Sequence, residues 1–174
     1  MNSLTLVRDE IVATLNLVDL CRLAELRDEF ADHTRRWFVS GQGRSRLVAS
    51  MAAMRLMHVG FDVHMTGEVT APSISAGDRL LMLSASGETP VSLHLARRAA
   101  EAGARVLALT TREDSPLAAM ADTVVAIPAH SSKQFGGSLF EQASLILLDA
   151  LIVAITQDDP AAYAVMSERH TNLE

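Results

Sequence analysis

Lysine and cysteine each occur once in these 174 residues, as Lys133 and Cys21. A lone cysteine excludes an internal disulfide framework and a cysteine metal cluster. Cys21 has no base near it in sequence, which is a poor setting for a catalytic thiolate. The scarcity of lysine leaves arginine to supply nearly all the positive charge, and no function follows from that alone. Basic side chains number 15 against 21 acidic ones, a formal charge of −6. A nucleic-acid surface carries a basic excess, so no nucleic-acid partner is expected. No apolar run is long enough for a membrane span, because the most apolar stretch, 143–155, is interrupted by Asp149. The first ten residues lack a charged segment followed by an apolar one, so no secretory leader is read and the expected location is cytoplasmic. What remains is a chain with 49% hydrophobic and 21% charged residues, the composition of a globular protein. Its length fits one domain over 1–174.

Residues 1–35 read as an N-terminal helix, with Leu4, Val7, Ile11, Leu15, Val18 and Leu23 recurring at helical steps. Asp9, Glu10, Arg22 and Glu25 fall mostly on the other side, a solvated polar face. From residue 36 to 157 strand and helix signals alternate. Strands are expected at 37–39, 61–65, 79–83, 105–110 and 123–127, and helices at 44–59, 90–102, 115–121 and 139–156. A C-terminal helix and tail follow over 158–174. Strands separated by helices imply right-handed crossovers and a parallel sheet. Unbroken apolar runs such as Val106-Leu107-Ala108-Leu109 suit strands buried on both faces. The expected fold is α/β, a doubly wound, five-stranded parallel sheet of flavodoxin-like type. Ligands of such sheets bind outside the carboxyl ends of the strands, where strand order reverses.

One segment at such an end stands out: Ser84-Ala85-Ser86-Gly87-Glu88-Thr89, leading from the third strand into a helix. Its hydroxyls and amides converge on a helix start, where unpaired N–H groups and the positive dipole end favour an anion. Without a lysine it is not a nucleotide P-loop. Two readings stand, helix capping by Ser86 or Thr89 and a phosphate site, and the position after a central strand favours phosphate. A second strand-turn-helix segment is Ser40-Gly41-Gln42-Gly43-Arg44-Ser45. The third glycine of a dinucleotide fingerprint is replaced by Arg46, which argues against a nicotinamide or flavin. Arg44 and Ser45 offer instead a charge-assisted donor and a hydroxyl, unless Arg44 is simply a surface residue.

Together these segments resemble the sugar isomerase (SIS) family. So do Met54-Arg55-Leu56-Met57-His58-Val59-Gly60, Gly67-Glu68-Val69-Thr70-Ala71-Pro72, Phe140-Glu141-Gln142 and the tail Arg169-His170-Thr171-Asn172-Leu173-Glu174. Within it they resemble the branch that acts on hexulose phosphate. Gln42, Ala85 and Thr171 depart from that branch's pattern, where Ala, Gly and Ala are usual. The resemblance implies reversible conversion of D-arabino-hex-3-ulose 6-phosphate to D-fructose 6-phosphate, as in the ribulose monophosphate route of formaldehyde fixation. It implies no metal, nucleotide or redox cofactor, a homotetramer, and a hexulose-phosphate synthase as the functional partner. Arabinose 5-phosphate isomerase is the nearest rival. Its histidine before Gly-Asp is absent, and Gly67-Glu68-Val69-Thr70 stands there. A non-catalytic phosphosugar sensor is a rival of another class, weakened by the lack of an attached DNA-binding domain.

The resemblance assigns phosphate binding to Ser45, Ser84, Ser86 and Thr89, helped by Gly87 and Glu88, with Arg44 close by. Glu68, in the loop after the second strand, would bind a sugar hydroxyl. Glu141 is the expected base. It opens an apolar helix, where the dipole alone would also explain a carboxylate. His170 is expected to move protons between substrate oxygens, by analogy with relatives in which a terminal histidine reaches a neighbouring subunit. At a chain end a histidine is otherwise a surface residue. His58, at a helix end, is either a dipole complement or a third catalytic group. His33, His64, His94 and His130 lack ligand-like spacing.

Overall fold

The strands β1 (Arg36–Gly41), β2 (Asp62–Met65), β3 (Arg79–Leu83), β4 (Arg105–Thr110) and β5 (Thr123–Ala126) form one parallel sheet in the order β2-β1-β3-β4-β5. They come from a computed structural model that describes residues 2–173. Met1 and Glu174, the ends of the expected N-terminal helix and tail motif, lie outside the described residues. The unbroken apolar runs follow from burial on both faces. In β3, Leu81 and Leu83 point to one core, while Leu80 and Met82 point to the other. The larger core joins Trp37, Val39, Leu107 and Leu109 to α3 (Arg44–His58) and α5 (Ser138–Thr156). The smaller one packs Phe38, Val106 and Ala108 beneath α4 (Pro90–Glu101). No helix joins β2 to β3. The irregular segment 66–78 takes its place and borders a groove of about 340 Å³ against Phe38, Leu80 and Leu95.

Three expectations are corrected. The N-terminal helix is two: α1 (Ser3–Leu15) and α2 (Leu20–Asp28), followed by a 3-10 turn, Glu29–Ala31. The break arises because the Asp19 carboxylate accepts from the amides of Cys21 (2.8 Å) and Arg22 (3.4 Å), starting a new helix. The apolar steps through Leu15, Val18 and Leu23 run across this break and so hide it. The helix expected over 115–121 is only a 3-10 turn, Ala118–Met120. And α5, with 19 residues, is long and apolar enough to cross a bilayer, contrary to the reading of 143–155. Its Phe140, Ala143, Leu147, Leu148 and Leu151 are buried against the sheet and α3, which makes it a core helix. A last helix, α6 (Ala162–Arg169), has no buried residue.

The N-terminal helices are tied to the sheet at its amino edge. Glu29 receives Arg79 of β3 (2.7 Å) and Arg105 of β4 (2.8 Å). Asp78 accepts from Arg36 (2.8 Å) and from the Ser75 amide (2.7 Å), and these bonds outweigh burial to hold its carboxyl below the usual range. At the opposite end the half-buried Glu10 is more than a member of a polar face, because it is bonded to another segment. It accepts from the Ser132 hydroxyl (2.7 Å), the Lys133 amide (2.8 Å) and the Gln134 amide group (3.1 Å).

Candidate active site

Strand order reverses between β1 and β3, and the two singled-out loops follow those strands. After β1 the chain enters α3 with no side-chain cap, its cap position being Gly43. Gly41 makes this joint possible. A Cβ there would lie 2.8 Å from the Ser45 backbone and 2.9 Å from the Arg46 nitrogen, so α3 starts hard against the strand end. Ser45 is buried and Arg44 points outward.

After β3, Ser84 is buried, and its hydroxyl lies 3.5 Å from that of Thr89. Thr89 occupies the cap position of α4, yet its side chain makes no bond to the helix. Ser86 accepts from the Glu88 amide (3.1 Å), which is a bond within the loop. The capping explanation for these hydroxyls therefore fails, and the first amides of α4 have no side-chain acceptor among the described residues. The loop is held from behind. Ala85 O accepts from the Thr111 amide (3.0 Å) and hydroxyl (2.8 Å), and from the Thr110 hydroxyl (3.2 Å). Gly87 O accepts from Leu117 N (3.0 Å). Gly87 has φ 63°, and a Cβ on it would come within 2.2 Å of the buried Ser115 hydroxyl. Thr110, Thr111 and Ser115 escaped the sequence reading. The paired threonines ending β4 on the ligand edge were the available signal.

Glu141 begins α5 after the Gly136-Gly137 turn and is almost wholly buried. Its Oε2 is bonded to Nε of Arg44, which joins the β1 loop to α5. Oε1 accepts no hydrogen bond among the described residues and lies open toward Gly137. This brings together Arg44, Ser45 and Glu141 on one side and Ser84, Ser86, Gly87 and Thr89 on the other, all at the carboxyl edge. Two members of the expected set are occupied elsewhere. Glu68 pairs with Arg46 (3.2 Å), and Glu88 pairs with Arg112 (2.8 Å) beside a cleft of about 370 Å³ that also involves Thr111, Asp114 and His130. Arg46 was noted only as a missing glycine. It also bonds Thr66 O (2.8 Å) and so fixes the loop after β2 to α3.

The histidines stand apart. Arg44 is the first residue of α3 and His58 its last, which at 1.5 Å per residue separates them by about 21 Å. His58 is buried, its Nδ1 has no partner among the described residues, and its ring stacks on His170 at 5.4 Å and 17°. Burial pushes the His58 imidazole below its ordinary value, and the neighbouring His170 and Arg55 add to this. Within one chain, the loops after β1 and β3 and Glu141 therefore have no histidine of this pair beside them. Among the described residues no three His, Cys, Asp or Glu side chains are grouped to hold a metal ion.

A doubly wound parallel sheet whose β1 and β3 both run through loops into uncapped helix starts at the switch point is the frame of a ligand-binding α/β domain, and the comparisons name its family. The SIS domain family matches residues 30–154, and the chain belongs to it. It is 45% identical to the 3-hexulose-6-phosphate isomerase of Mycobacterium gastri, over 99% of this chain and 90% of that one. The enzyme of the same name from Bacillus subtilis is 36% identical, over 86% and 88%. A solved Methanococcus jannaschii structure, from which a 3-hexulose-6-phosphate isomerase function was inferred, superposes with a TM-score of 0.88 at 28% identity, covering both chains fully.

Proposed function

We propose that this protein interconverts D-arabino-hex-3-ulose 6-phosphate and D-fructose 6-phosphate in the ribulose monophosphate route. The observation that carries the reading is the juxtaposition at the switch point of hydroxyls at a helix start they do not cap with a buried carboxylate, Glu141. An anionic ester and a carbon acid are what these two features respectively accept. Near full-length identity to enzymes named for this reaction supports the same choice.

Ser45, Ser84, Ser86 and Thr89, with the amide of Gly87, hold the phosphate at C6. It does not react, and its binding energy orients the sugar. Oε1 of Glu141 removes the proton at C2, an enediolate spans C2 and C3, and the proton returns at C3, moving the carbonyl from C3 to C2. Arg44 turns from Glu141 toward the sugar oxygens as these gain negative charge. Glu68 and Glu88 border the site and reach sugar hydroxyls only if released by Arg46 and Arg112. His170, backed by His58, moves protons between O2 and O3, and because of the 21 Å separation of about four helical turns it serves the site of another subunit. The working form is then a cytoplasmic homotetramer fed by a hexulose-phosphate synthase.

The test supplies ribulose 5-phosphate, formaldehyde and such a synthase, and follows fructose 6-phosphate. Product is expected only with this protein present, and Glu141→Gln lowers kcat by roughly 10²–10⁴ while leaving fructose 6-phosphate binding intact. Folded protein that binds fructose 6-phosphate without forming it would overturn the reading in favour of a sensor.

A further inference from the structure

The crossover 127–137 carries the chain from edge strand β5 back over the carboxyl ends of the neighbouring strands to α5, which bears Glu141. Its middle, 130–134, is polar, and Phe135, near its end, is 96% exposed. Its shape comes from elsewhere in the sequence. Three successive residues, Ser132, Lys133 and Gln134, each donate to the single carboxylate of Glu10 on α1, more than 120 residues away, at 2.7, 2.8 and 3.1 Å. The Ser132 hydroxyl in turn accepts from the Gln134 amide (2.9 Å), closing a small ring of bonds. These donors, led by the Lys133 amide and the Ser132 hydroxyl, hold the Glu10 carboxyl below its usual range. The clamp ends where the hinge begins: Gly136 has φ 59° and open space around its Cα, and Gly137 accepts the amide of Glu141 (3.1 Å).

We propose that Glu10 is a positioning residue for the isomerisation. It fixes the crossover at 132–134, so that the Gly136-Gly137 turn delivers Glu141 at one place and the crossover stays over the sugar site. Glu10 does not touch substrate. It acts through Ser132, Lys133 and Gln134, and through α5. Without the clamp the start of α5 is positioned only by the burial of Leu139 and Phe140 and by the Arg44 bond, and a misplacement of about 1 Å at the reacting carbon costs on the order of a hundredfold in rate. The proposal rests on the reading of Glu141 as base. The phosphate loop is anchored separately, by Thr110, Thr111 and Leu117, so the loss falls on kcat and not on KM.

The sequence provides its own probe. Lys133 is the only lysine, so a lysine-specific protease cuts the native chain inside the clamp and nowhere else. In Glu10→Ala, cleavage at Lys133 is expected to be at least about tenfold faster than in the wild type, because local opening governs native-state proteolysis. Its kcat falls roughly ten- to a hundredfold, with KM changed less than about threefold. Glu10→Gln, which keeps one carbonyl acceptor, falls between the two in both measurements. Should Glu10→Ala not fold, Ser132→Ala combined with Gln134→Met removes two donors and leaves α1 untouched, with the same expectations. Faster cleavage with kcat unchanged would make the clamp merely structural and overturn the proposal, as would unchanged cleavage. A wild-type protein without isomerase activity would overturn the reading of the reaction and the catalytic half of this proposal together, while cleavage at Lys133 would still report on the clamp.

Discussion

Gly87 shows how tightly the loop after β3, the proposed phosphate loop, is specified by single residues. It stands in the left-handed region, and a methyl group there meets the Ser115 hydroxyl at 2.2 Å and its Cβ at 2.5 Å. Ser115 is fully buried and cannot turn aside, since its hydroxyl accepts from Ala118 N (3.2 Å). Gly87→Ala is therefore expected to cost about 1–3 kcal/mol of stability and to raise KM for the phosphosugar more than it lowers kcat. Thermal unfolding and steady-state kinetics measure both. An unchanged KM would separate this loop from the phosphate. Residue identities in the loop were legible in the sequence, because three hydroxyls and a glycine before a helix already suggest an anion. Their support was not. Ser115 and Thr110 come from distant segments, and only the fold shows that they lie behind the loop.

Among the elements, α3 has the most divided role. Its start presents Arg44 to Glu141, and its end buries His58 beneath His170. A histidine whose folded-state pKa lies below the unfolded value contributes most stability above about 6.5 and loses it as pH falls through the lower folded value. The melting temperature of the wild type should therefore fall from pH 7 toward pH 5 more steeply than that of His58→Gln, and a difference of the opposite sign would refute the buried, neutral imidazole. The strands and most helices could be read directly, since two-sided burial leaves unbroken apolar runs and glycines stop helices. The break between α1 and α2 was concealed because apolar periodicity continues across it, although Asp19 is a capping residue. The bond between Arg44 and Glu141 joins residues 97 apart, and no periodicity records such a pairing. The distance from His58 to that bond could have been inferred, because it is simply the length of a helix already read.

For the whole molecule, the distance between the two halves of the proposed machinery sets the decisive test. Leu47, Met51 and Met54 form an exposed apolar stripe along α3 between Arg44 and His58, at 65%, 45% and 48% exposure. If one subunit supplies Glu141 and another supplies His170, then Glu141→Gln and His170→Ala chains, each inactive alone, should regain activity when co-assembled. Independent sites would give none. The ties of the N-terminal helices have a consequence for how the chain is made. Glu29 waits for arginines 50 and 76 residues further on, and Glu10 for a segment beginning 122 residues later. α1 and α2 are thus made well before the partners that tie them down. During synthesis the two Glu29 ties can close only as β3 and then β4 emerge, and the clamp on the crossover only after residue 134 has been added.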